Sequence, residues 1–96
     1  MELGKTATGK PELVVAKDVD YDSFSCHAQE FVDRFVMFIE KKIDGPAERM
    51  WLVKFEGHTL CISWDEWLFE VTVMAWDDTP ADVILELHRR SSIADH

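Results

Sequence analysis

Two cysteines, four histidines and two adjacent acid pairs are the side chains here whose types could do chemistry. Cys61 comes close to Lys54 if both lie on neighbouring strands, and a cation beside a thiol favours the nucleophilic thiolate. Thiol catalysis also needs a base such as histidine within reach, and none is expected on that face. A structural cysteine is therefore the preferred reading. Cys26 precedes His27, but adjacent residues of a helix point to different faces, so the two make no dyad. His27, His58, His88 and His96 show no HxxxH, CxxH or HxH spacing, which leaves a zinc site without support. The pairs Asp65-Glu66 and Asp77-Asp78 could serve proton transfer. Both positions also suit acids locally, the first as a turn and the second before a helix. The sequence has no GxxxxGK[ST], GxGxxG or GxSxG, and no DxDxDG calcium loop. No catalytic constellation emerges, and no cofactor or metal is expected.

The elements that would position these residues follow from periodicity. Residues 1–10 read as a flexible lead-in, residues 11–92 as a single α+β domain, and residues 93–96 as a frayed end. Residues 13–16 are β-branched and apolar, a first strand. Residues 23–43 predict one long helix with Asp22 as N-cap. Phe24, Ala28, Phe31, Val32, Phe35, Val36, Phe38, Ile39 and Ile43 share an arc about 160° wide. Asp44-Gly45-Pro46 stops it.

Three alternating strands follow, at residues 49–56, 58–64 and 67–75. A Gly57-His58 turn of type II′ sets Phe55 against Leu60. A two-residue turn at Asp65-Glu66 sets Trp64 against Trp67 and Ile62 against Phe69. Thr79, Pro80 and Asp82 then form a helix start. Val83, Ile84, Leu87 and His88 share its apolar face, although residues 83–87 also alternate as a strand would. The order β-α-β-β-β-α predicts a two-layer sandwich. It has a mixed four-stranded sheet, one parallel pair and both helices on one face.

The formal charge of −9 argues against nucleic-acid binding and against docking on anionic lipid. A basic partner or solubility fits it. No apolar run approaches the ~20 residues of a membrane span. The opening MELGKTATGK has no apolar stretch like that of a signal peptide, and two cysteines make no disulfide framework. A cytoplasmic protein with reduced thiols is expected.

Two surfaces stand out on this layout. Trp51, Trp64 and Trp67 gather near one end of the covered face, either closing the core or walling an aromatic pocket for a small enzyme. The uncovered face carries rows Lys54–Cys61–Glu70 and Leu52–Ser63–Leu68 and is half apolar. It suggests a contact surface of Leu52, Lys54, Cys61, Leu68, Glu70 and Met74, for a protein partner or a second copy in a homodimer. An acidic inhibitor of a basic protein, including mimicry of nucleic-acid phosphate, is the alternative.

The segment from Asp44 to Leu60 contains Trp51-Leu52, then Phe55-Glu56-Gly57, then Leu60. At that spacing it resembles a small bacterial protein family of unknown function. The resemblance covers about a quarter of the chain and implies no activity, cofactor or site residue.

Overall fold

Antiparallel pairing organises the whole chain. The computed structural model describes residues 1–94. In order these form β1 (Glu2–Lys5), β2 (Pro11–Ala16), α1 (Phe24–Arg34), β3 (Phe38–Asp44), β4 (Glu48–Phe55), β5 (His58–Asp65), β6 (Val71–Ala75) and α2 (Asp82–Ala94). The six strands lie in the order β1-β2-β6-β5-β4-β3, and every ladder is antiparallel. The α+β class stands. The mixed four-stranded sheet with a parallel pair does not. Two strands escape the sequence pattern, β1 within the expected lead-in and β3 within the expected helix. With β3 in place, the chain crosses from β2 over α1 to the far edge. It then returns strand by strand, so β2 meets β6 instead of the strand after the helix.

Helix α1 buries the stripe that its period predicts, namely Phe24, Ala28, Phe31 and Val32. The turn before it is tied by Asp20, not Asp22: the Asp20 carboxylate accepts the Ser23 N–H at 2.8 Å. Ser23 is the N-cap, without a side-chain cap bond. The helix ends far short of residue 43. Phe35 is the C-cap and Val36 takes φ 53°. The Val36 and Met37 N–H groups then donate to the Asp33 and Val32 carbonyls at 3.4 and 2.9 Å. That pair of bonds is a Schellman stop, built here on valine. The apolar residues beyond it belong to an edge strand, where Phe38 stays 69% exposed.

Both hairpin registers differ from expectation by an even number of residues. Glu56 and Gly57, at φ 48° and 85°, form the β4–β5 turn, the left-handed pair that a type I′ hairpin requires. Phe55 therefore faces His58, and Trp51 faces Ile62. In the next hairpin β6 starts at Val71, so Trp64 faces Val71 and Ile62 faces Val73. Even slips preserve side-chain parity, so the inward residues remain inward.

One apolar cluster results. Leu13, Trp51, Val53, Phe55, Leu60, Ile62, Trp64, Val71 and Val73 come from one face of the sheet. Phe24, Phe31, Val32, Ile84 and Leu87 of the helices pack against them. Each large side chain so buried contributes roughly 1.5–3 kcal/mol. Residues 83–88 are helical, as the start signal indicates, but Thr79 does not cap them. Its hydroxyl donates to the Thr59 carbonyl at 2.7 Å, latching the lead into α2 onto β5. The expected frayed end is helical through Ala94, and residues 95–96 lie outside the described residues.

Candidate functional site

The face of the sheet turned away from the core is read from the register. One row runs Lys41–Leu52–Cys61–Met74–Glu12, and its neighbour runs Ile43–Met50–Ser63–Thr72–Val14. Cys61 is only 1% exposed, although it belongs to no part of the main cluster. Its row neighbours Leu52 and Met74, both half-buried, flank it across the ladders and shield it. Burial, then the charge of Glu48, pushes its thiol up to about 12. Its sealed position and raised thiol suit packing between its row neighbours.

The expected rows are corrected by the register. Lys54 lies opposite Thr59 and donates to the Thr59 hydroxyl at 3.1 Å, so it is not beside Cys61. Glu70 precedes β6 and is half-buried. Leu68 lies in the β5–β6 connection at 61% exposure. Of the six expected contact residues, the structure brings Leu52, Cys61 and Met74 into one row and leaves Lys54, Leu68 and Glu70 outside it.

The β5–β6 connection is the second part of the site. The Asp65 carboxylate accepts the backbone N–H groups of Trp67 and Leu68 through one oxygen, at 3.0 and 2.9 Å. This is the Asx-turn habit of aspartate. The Phe69 N–H donates to the Asp65 carbonyl at 3.0 Å, and the Val19 N–H donates to the Phe69 carbonyl at 2.8 Å. Phe69 also sets its ring edge-on to Trp64, with centroids 5.9 Å apart. The loop is thus fixed at its base and in its middle. Its tip is apolar nonetheless: Trp67 is 86% exposed.

This overturns the expected trio of tryptophans. Trp51 and Trp64 are sealed in the core, and Trp67 points into water. The Trp64 indole N–H donates to the Val19 carbonyl at 2.6 Å. Trp51 packs edge-on against Phe24, with the Lys42 ammonium 4.2 Å from its ring centre. Its own indole N–H has no partner among the described residues. The exposed loop left a sequence signal that periodicity alone passed over. Trp67, Leu68 and Phe69 are three large apolar residues in succession, and no alternating strand accommodates them on one face.

Acids gather at this end of the sheet. Glu48 lies directly opposite Asp65, and Glu66 and Glu70 flank the apolar triplet. Burial raises the Glu12 carboxyl above its ordinary range, and the charges of Glu70 and Asp65 add to the shift. Between Lys54 and Arg89 the sequence has no lysine or arginine. Glu56 and Glu86, within that stretch, are paired with Arg90 and Arg89. Among the described residues Glu48, Asp65, Glu66 and Glu70 form no ion pair.

A cleft of about 460 Å³ opens at the other end of β6, between Thr6, Lys10, Pro11, Met74, Trp76 and Thr79. Its threonine hydroxyls bond one another or the backbone: Thr6 with Thr8 and the Lys10 N–H, and Thr79 with the Thr59 carbonyl. Among the described residues no group of three or more His, Cys, Asp or Glu side chains is placed to hold a metal ion, and no helix is long and apolar enough to cross a membrane. Compared with known proteins, the chain matches no family model, no curated protein and no solved structure.

Proposed function

We propose that this chain is a non-catalytic protein-binding domain of the cytoplasm. Its contact surface is the Trp67–Leu68 loop tip together with the adjoining open sheet face around Leu52 and Met74. The supporting observation is Trp67, held in water on a hydrogen-bonded loop. Leaving a large apolar side chain exposed forgoes roughly 1.5–3 kcal/mol of burial. A loose loop would fold such a ring back onto the surface, whereas this loop is anchored by Asp65 and Val19. An anchored loop also avoids the ordering cost of about 0.5–1.5 kcal/mol per side chain that binding otherwise exacts. Tryptophan is the residue type that most often carries interface energy.

A partner of different sequence fits better than a second copy, since two copies would bring like charges of −9 together. Affinity capture from the native lysate, with wild type beside Trp67→Ser and Leu68→Glu, tests the reading. A partner retained by wild type and lost with both variants is expected. Equal capture by all three would refute it. Light scattering on the same proteins reports self-association, which Leu68→Glu should abolish if the partner is a second copy.

A further inference from the structure

We infer that the partner docking here is a protein with an apolar pocket rimmed by lysine or arginine, into which Trp67 inserts. This assignment rests on the docking role proposed for the loop and adds the chemistry of the partner.

Acids dominate the charge at the loop, where Lys17, paired with Glu2, is the base near Glu70. Asp65 and Glu66 precede the apolar triplet, Glu70 follows it, and Glu48 faces Asp65 across the ladder. Like charges directly opposite one another in a sheet destabilise it, and while Asp65 fixes the loop through the Trp67 and Leu68 N–H groups, Glu48 brings a second negative charge beside it. Such local conflict, beside an exposed tryptophan, is the pattern of a surface shaped for use and not for stability. Several bases of the molecule are already engaged: Lys17 with Glu2, Arg49 with Asp44, and Arg89 and Arg90 with Glu86 and Glu56.

Other occupants fit worse. A second copy presents the same acids. Nucleic acid is repelled by them. A lipid surface would have to take carboxylates flanking the inserted ring, at a desolvation cost that lipid cannot offset. A pocket with an apolar floor and a cationic rim satisfies both parts of the tip, and complementary charge speeds encounter and fixes orientation.

Short random peptides displayed on phage and selected on the folded domain provide the probe. The tightest binder is synthesised and titrated against wild type and three variants. These are Trp67→Ser, the loop pair Glu66→Gln with Glu70→Gln, and the distant pair Asp77→Asn with Asp78→Asn. The distant pair lies beyond the other end of β6, where the Trp76 N–H donates to the Thr59 carbonyl. Glu66 and Trp67 are exposed and Glu70 is half-buried, and circular dichroism of each variant verifies the fold.

The expected binder joins lysine or arginine with a large apolar residue. Trp67→Ser weakens it about tenfold or more. The loop pair weakens it severalfold and reduces its salt dependence, and the distant pair leaves it unchanged. Affinity that falls with Trp67→Ser but not with the loop pair overturns the basic rim and leaves the docking role standing. Equal losses from both acid pairs assign the effect to net charge alone and overturn the inference. A binder indifferent to Trp67→Ser, or no binder at all, overturns the docking role as well. Trp67-dependent binding to phosphatidylcholine vesicles would replace the protein partner by a lipid surface.

Discussion

Cys61 is sealed as tightly as the core leucines although no helix covers it, and its chemistry follows from that. Neighbouring side chains in the same sheet row exclude water, and a thiolate there would be a charge without solvent or a cation. Cys26 differs only in place: it is exposed on the polar side of α1, with its thiol 3.7 Å from Glu30. A thiol reagent added to the native protein at mildly alkaline pH should therefore modify Cys26 alone. Cys61 should react only after denaturant unfolds the sheet. Immediate modification of both cysteines would contradict the burial of Cys61. The pairing of Cys61 with Leu52 and Met74 was legible only in part. Alternation put all three on one face, but a β4–β5 turn shifted by one residue brought Leu52 opposite Cys61, and a longer β5–β6 connection brought Met74 there.

At the scale of elements, the informative failure is the stop at Val36. A Schellman motif wants glycine or asparagine at its left-handed position. A β-branched residue there is strained by about 1–2 kcal/mol. Since Val36 is 89% exposed, it buries little that glycine would lose. Val36→Gly should stabilise the protein by about 1 kcal/mol, seen as a higher urea midpoint at unchanged slope. A lower midpoint would mean that the valine is held by contacts the fold does not show. The same residue explains why β3 was hidden: the usual stop signal is missing, and the apolar residues after it continue a helical arc by coincidence. A bulge between Ile39 and Lys41 also breaks the alternation that would have marked a strand. That bulge, with Glu40, Lys41, Lys42 and Asp44 along β3, guards the exposed sheet edge against pairing with other chains. By contrast, the α1 stripe through Val32 and the faces of β4 and β5 were fully readable, because period alone determines them.

For the whole molecule, charge governs how stability varies with pH. Hydrogen bonds from Arg89 and Arg90 hold the Glu86 carboxyl down to about 2, and Arg90 also lowers Glu56. These groups support the fold above the ordinary carboxylate value of 4.5, and their support is lost as pH falls from there toward about 2. Glu12 acts in the opposite sense. Its folded form prefers the proton, so its contribution is complete below 4.5 and disappears as pH rises through its raised value. Glu12→Gln should therefore raise the thermal midpoint at pH 7 and leave it unchanged below 4.5. Thermal melts of both proteins at the two conditions decide this, and a variant less stable at neutral pH would show that the carboxylate is supported after all.

The pairing of β2 with β6 has a consequence for how the chain is made. Leu13 belongs to the core, yet its partner in the ladder is Val73, far along the sequence. During synthesis β2 emerges shortly before α1, which packs against it, but long before β6, its partner in the sheet. Closure over so long a loop is slow. A nascent chain halted before Val71 leaves the β6-facing edge of β2 unpaired, and such an edge invites chaperones.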